Sequence, residues 1–307
     1  GFFSPNLLTS MRFSLLAALL TLPGGVAAQQ SASVSDLRYD LAFTSATAQS
    51  RGLTVTTRFE AGGTAPVLLS LPSWTPGAYE VSNFARRVSS FAAAQGGAPL
   101  DWDKADPDTW RIHPTGRGTV TITFDFLADQ LDNAMAWSQA DFLMVNGTNV
   151  FLYPEGRSLD FPAAVTVTTE AGWRVATGMA PGSAPRSYRA GNYHDLVDMP
   201  FFIGRFDFDS TQVQGKWVRL ASYPEGSLAG AARTEFWAEL EKYLPVEIAV
   251  FGVAPYDSYT NLLIFDQEFG GGSALEHQNS HVGIYTPLLI GNPVLPSITA
   301  HEIFHLW

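Results

Sequence analysis

Cysteine is missing from all 307 residues. That excludes disulfides, thiolate zinc sites and cysteine nucleophiles. Positive charge is scarce, with 18 Lys and Arg against 29 Asp and Glu, a net charge of −11 and a pI of about 4.9. Such a surface repels phosphate backbones, so nucleic acid is excluded as a partner. Long apolar runs are also lacking. Beyond one short run near the N-terminus, no stretch reaches the ~20 residues that span a bilayer, so no integral membrane segment is expected in the mature chain. What is present is a large apolar share, 46%, with only 15% charged residues, a balance of folded proteins. Aromatics at 13%, with 27 Gly and 19 Pro, favour a β-rich body punctuated by turns.

The short apolar run lies at Leu15–Leu22, after Met11-Arg12-Phe13 and before Pro23-Gly24-Gly25 and Val26-Ala27-Ala28. A positive start, an apolar centre and small residues before a cleavage point make a secretory signal peptide. The reading is a leader over 11–28, cut after Ala28, with 1–10 an upstream extension outside the fold. It predicts a secreted or periplasmic protein. No cysteine follows the cut, so a lipid anchor there is excluded.

From Leu37 to about Phe208 the pattern is of strands. Leu53–Phe59 and Val120–Phe126 alternate apolar and polar residues, as strands with one buried face do. Val165–Thr169 and Trp173–Val175 continue the pattern. Turn clusters are expected at Ala61-Gly62-Gly63, Gly96-Gly97, Pro114-Thr115-Gly116 and Pro181-Gly182-Ser183. Strands at this spacing predict an antiparallel sandwich. Near Tyr223 the style changes. An amphipathic helix is expected over 228–243, ended by Pro245. A strand at Leu262–Phe265, a Gly-rich loop, a strand at His281–Tyr285 and a helix from about Pro296 follow. The domain boundary falls near 206–218, drawn as a β-rich domain at 33–210 and a second domain at 211–307.

His301-Glu302-Ile303-Phe304-His305 has the form H-E-x-x-H. On a helix, residues four apart share a face, so both imidazoles can reach one zinc ion. Glu302 lies about 100° round the helix from His301 and can serve a zinc-activated water as general base. Ile298, Ile303, Phe304 and Leu306 supply an apolar stripe to seat the helix. A catalytic zinc needs a third protein ligand, expected beyond Trp307. On this reading the chain is a truncated fragment, inactive alone.

The other unusual stretch is Phe269-Gly270-Gly271-Gly272-Ser273-Ala274-Leu275-Glu276-His277-Gln278-Asn279-Ser280. Glycines at Gly271 and Gly272 let a backbone come close to a peptide substrate, which the following strand can pair with. A carboxylate at Glu276 can hold a free α-amino group. The plainer alternative is a hairpin with solvated polar residues.

Together these stretches resemble the M61 peptidase family, the glycyl aminopeptidase type. FGGGSALEHQNS resembles the family's Gly-rich loop and HEIFHLW its zinc helix. Leu71–Val88, Leu131–Trp137, Asn146–Arg157 and Tyr193–Asp207 are similar to its N-terminal domain. The resemblance covers about 33–307. It implies a β-rich, sandwich-like N-terminal domain followed by the start of an α+β thermolysin-like zinc peptidase domain, and in whole members a PDZ domain. It implies zinc on His301 and His305, the general base at Glu302 and substrate amino-group contact at Glu276. It implies peptide substrates with an N-terminal glycine or other small residue.

Other residues carry plainer readings. His277 and His281 lie near the loop and could support the site or touch substrate, the default being ordinary polar residues at a strand end, and His113 and His194 are read as structural. Asn146-Gly147-Thr148 matches a glycosylation sequon but reads as a tight turn. Pro72–Gly77 reads as a rigid loop able to line a cleft. Asp129, Asp132 and Asp141 lack calcium-site spacing. Two competing functions stand beside the aminopeptidase: a zinc endopeptidase and a non-catalytic β-sandwich binding module.

Overall fold

The computed structural model describes residues 30–307. The expected leader at 11–28 and the extension at 1–10 lie outside the described residues. Two bodies of structure follow one another, a β-rich part and a mixed sheet with helices.

The β-rich part has an eight-stranded sheet at its centre. Its strand order is Ala180–Pro181, Ser187–Ala190, Ala163–Thr168, Val34–Ala42, Gly52–Gly63, Gly116–Leu127, Val88–Gln95 and Ala98–Pro99. The alternation read in the sequence fixes the register. Leu53, Val55 and Phe59 lie opposite Phe126, Phe124 and Val120, all buried. Two four-stranded sheets complete the part. One contains Val67–Ser70 and Thr109–Ile112, the other Phe142–Val145 and Phe201–Gly204. Buried tyrosines tie the layers together. Tyr39 donates to the Leu152 carbonyl at 2.6 Å and Tyr193 to that of Phe151 at 2.7 Å.

Two expectations change here. The sandwich is not wholly antiparallel, because Val34–Ala42 and Ala163–Thr168 pair in parallel. Ala61-Gly62-Gly63 is not a turn, and continues the ladder opposite Gly118, Arg117 and Gly116. Glycines on both strands meet there, so the ladder runs on with few side chains to pack. Asn146-Gly147-Thr148 does form a tight turn, closed by the Asn149 N–H donating to the Asn146 carbonyl at 3.0 Å, and it is buried. Asn146 precedes the one-turn helix Gly147–Val150 and is fully buried. Its amide donates to the carbonyls of Asn133 at 2.8 Å and Met135 at 3.2 Å. A Cβ at Gly147 would stand 2.7 Å from two backbone oxygens. Glycosylation at Asn146 is therefore sterically excluded in the folded chain.

The second part is a five-stranded mixed sheet, ordered Asp207–Val213, Lys216–Tyr223, Ser258–Phe265, Ser280–Tyr285 and Gly272–His277. Its first strand begins at Asp207, so by sheet membership the join between the parts lies just before that residue. The second and third strands run parallel. A parallel pair needs a long crossover, supplied by the helix Gly230–Phe251.

That helix corrects the expected stop at Pro245, which lies inside it. Phe236, Leu240, Leu244 and Ile248 are buried at a four-residue spacing, so the stripe holding the helix on the sheet continues past the proline. Pro245 removes the donor to the Glu241 carbonyl. Glu241 is exposed, where water can replace it. Termination falls instead at Gly252, left-handed with φ 77°, whose N–H donates to Ile248. The last helix is Val294–Phe304. The helices cover one face of the sheet and the β-rich part covers the other. Central strands buried on both faces read as continuous apolar runs. No helix among the described residues is long and apolar enough to cross a membrane.

Two stability predictions follow from buried polar groups. Asn146→Ala strands the Asn133 and Met135 carbonyls and costs about 2 kcal/mol in denaturant unfolding. Burial pushes the Glu247 carboxyl up to about 7, and its Oε2 is sealed from solvent without a partner. The native state thus keeps a proton that the unfolded chain has released. Stability is full below the ordinary carboxyl pKa and is lost as pH rises to about 7. Glu247→Gln removes this loss, so its melting temperature, measured from pH 4 to 8, gains on the parent's as pH rises (about those limits).

Candidate metal centre

The helix Val294–Phe304 seats itself through Leu295, Thr299 and Ile303, each almost wholly buried against the sheet. This stripe turns His301 and His305 outward, where both are exposed, and turns Glu302 inward to 6% exposure. Phe304, expected in the stripe, is 45% exposed instead. It meets Phe251 at a centroid distance of 5.4 Å. Trp307 stacks on Phe251 and donates its indole N–H to the Val253 carbonyl at 2.7 Å. These contacts hold the end of the helix.

The two imidazoles face one another, with their Nε2 atoms 3.2 Å apart. Two nitrogens bound to tetrahedral zinc at about 2.0–2.1 Å stand about 3.3–3.4 Å from each other. The pair therefore fits a zinc ion between them. Burial pushes the Glu302 carboxyl up to about 7, with His305 opposing and Glu276 adding to the rise.

Glu276 arrives from the strand Gly272–His277, at the free edge of the sheet. It is placed directly opposite His281. One ligand atom from each of Glu276, Glu302 and His305 lies within 4.8 Å of the others. Residues distant in sequence are thus gathered into one cluster beside the imidazole pair, with His305 common to both. Gly272 opens the same strand and Gly271 precedes it, four and five positions before Glu276. Nothing stands within 4 Å of a Cβ built on Gly271, and Tyr285 lies 3.2 Å from one on Gly272.

His277 and His281 are buried, unlike ordinary polar residues at a strand end. His277 Nδ1 pairs with Asp198 at 2.9 Å, and the other carboxylate oxygen of Asp198 accepts from the Gln278 N–H at 2.7 Å. His281 Nδ1 meets the Tyr259 hydroxyl at 3.0 Å. Burial, then His277, lowers His281 to about 3, so it is neutral. These contacts pin the hairpin that carries Glu276. His113 and His194 stay exposed and away from the cluster. Asp129 pairs with Arg87, Asp132 caps the Ala134 N–H and Asp141 lies near Arg205, so each of the three aspartates has a structural partner. Sequence reasoning missed Asp198, Asn133 and Tyr259, which support the site. Each is an ordinary polar residue in sequence, and only its tertiary contact distinguishes it: Asp198 with His277, Asn133 with Ser273 and Tyr259 with His281.

A profile of the Peptidase M61 N-terminal domain matches residues 38–205, more than half of the chain. The chain belongs to the M61 peptidase family. Among solved structures it is similar to an aminopeptidase N family protein from Idiomarina loihiensis, with 25% identity and a TM-score of 0.79 over 88% of this chain and 47% of that one. It therefore spans about half the length of that relative. A zinc metallopeptidase of the M1 type from Deinococcus radiodurans shares 16% identity and a TM-score of 0.51, over 91% of this chain and 65% of that one. Native yeast LTA4 hydrolase shares 13% and 0.52, over 89% and 44%. These last two share the fold. No curated protein gives a significant match. The chain thus shares its fold with zinc metallopeptidases, and its β-rich part is the M61 family's N-terminal domain.

Zinc binding through the facing imidazoles is directly measurable. A full-length form extending past Trp307, with the third ligand present, is expected to take up one zinc ion, and His301→Ala to lose it, by metal analysis after dialysis. Unchanged zinc content in that variant would remove the metal centre and favour a binding module.

Proposed function

We propose that this M61 protein serves as a secreted zinc aminopeptidase, with His301 and His305 holding the metal. Zinc bound there supplies a Lewis acid and a water of near-neutral pKa. The remaining work belongs to side chains of this chain. Glu302 lies within the cluster and is held near neutrality by burial, so it can accept a proton from water and return it to the leaving amine. The strand Gly272–His277 offers a free sheet edge, along which an extended peptide can pair by backbone hydrogen bonds. Glu276 then receives the peptide's amino group.

The observation that carries this reading is the placement of the Glu276 carboxylate within 4.8 Å of both Glu302 and His305. A cationic amine held there puts the first peptide bond beside the metal and the base. Export is supported by the tripartite leader pattern at Met11–Ala28, and the preference for glycine or another small first residue by the family resemblance.

In a full-length form extending past Trp307, Glu276→Ala is expected to lower kcat/KM for free-amino dipeptides by about 100-fold, the loss of one charge-assisted hydrogen bond at a half-buried site. Zinc content should stay unchanged. Undiminished cleavage of those dipeptides, with equal cleavage of N-blocked peptides, would replace the aminopeptidase by an endopeptidase.

A further inference from the structure

The edge of the strand Gly272–His277 is open at one end and closed at the other. At the open end, nothing stands within 4 Å of a Cβ on Gly271. At the other end, the M61 N-terminal domain touches the strand. A Cβ on Gly77 would lie 2.6 Å from Leu275 Cδ1 and 3.5 Å from Glu276 Oε1.

Gly77 reaches that point through a tight turn. The Ala78 N–H donates to the Thr75 carbonyl at 3.1 Å, with Pro76 and Gly77 at the central positions and Gly77 at φ 86°. Proline followed by glycine of positive φ makes a type II turn. A side chain at Gly77 would be strained by φ and would push on Leu275 and Glu276.

The turn is firmly held. Thr75 is 2% exposed, and its hydroxyl meets that of Thr148 at 2.6 Å and the Ala134 carbonyl at 3.3 Å. The loop is closed at its neck, where the Ser73 carbonyl accepts from Ser82 and Asn83, each at 2.8 Å. A second contact fixes the strand against the same domain, from Asn133 Nδ2 to Ser273 Oγ at 2.7 Å. The wall at Leu275–Glu276 is therefore anchored.

We propose that the Thr75–Ala78 turn is an end stop, closing the sheet edge at Leu275–Glu276 so that a bound peptide must end there with a free amino group. Between Gly272 and Leu275 the open edge is about 10 Å long, room for three extended residues. Glu276 supplies the charge that attracts the amine, and the turn supplies the bulk that rejects any residue before it. This rests on the aminopeptidase reading, and makes exopeptidase action a product of shape as well as charge.

The test measures binding to the zinc-loaded full chain by calorimetry, with Ala-Phe-Leu amide and its N-acetylated form as probes. The unaltered chain is expected to favour the free-amino peptide by about tenfold or more. Excision of Pro76, Gly77 and Ala78 should tighten binding of the acetylated peptide about tenfold and leave the free-amino peptide within about threefold. Thr75→Val, which loosens the anchor without shortening the loop, should act in the same direction to a smaller extent. Zinc content and thermal melting report whether each variant is folded. If both folded variants bind the acetylated peptide as weakly as the parent, the end stop is overturned. The aminopeptidase reading then still stands if Glu276→Gln loses the free-amino peptide. If Glu276→Gln keeps the parent's preference while the loop variants lose it, the amino-group role of Glu276 falls and the end stop remains. Equal binding of both peptides by the parent overturns both.

Discussion

Phe142 stacks on Tyr223 with ring centroids 3.8 Å apart, at the centre of an apolar seam between the two parts of the chain. From the M61 domain come Trp137, Phe202 and Phe206; from the second sheet come Leu262, Ile264, Val282 and Ile284. All are buried, and each large side chain so removed from water contributes about 1.5–3 kcal/mol. Polar contacts fix the register of the seam. Asn279 donates to the Gly178 carbonyl at 2.7 Å, where a Cβ on Gly178 would collide with the Asn279 amide oxygen at 2.1 Å. Thr260 donates to the Thr177 carbonyl at 3.3 Å. The seam thus holds the N-terminal domain in one position, from which its loops reach the edge strand. The contacts of Asn133, Asp198 and Gly77 with the edge hairpin depend on it.

The helix itself separates two demands. Metal ligands must face an open space, whereas a base working near neutral pH benefits from burial. The spacing of the motif meets both because the burying stripe of Leu295, Thr299 and Ile303 passes beside Glu302 and leaves His301 and His305 outside. Burial then raises the Glu302 carboxyl. The same arrangement brings Glu276 close enough to add to that rise, so the amine-binding carboxylate and the base influence one another across the cluster.

Much of the fold was legible locally. Alternation in Leu53–Phe59 and Val120–Phe126 reports a sheet with one buried face, and those segments pair as neighbouring strands. The errors share a cause. Pro245 and Gly62 were read by intrinsic propensity, and in both cases packing prevailed. A buried stripe carries the helix past its proline. Paired glycines continue a ladder instead of turning. Propensities amount to fractions of a kcal/mol per residue or a few for proline, less than a well-buried stripe provides.

The sequence by itself determined the chemistry available: two imidazoles one turn apart, a carboxylate between them, glycines ahead of a glutamate, and no thiol anywhere. Helical periodicity suffices for that, because it acts between residues close in the chain. Only the tertiary structure decided that Glu276 lies beside Glu302 and His305, that His277 and His281 are buried supports, and that Gly77 meets Leu275 and Glu276. Those contacts join segments far apart in sequence. Their register is set by the apolar seam and by a sheet whose strand order differs from chain order, neither of which leaves a local periodic trace.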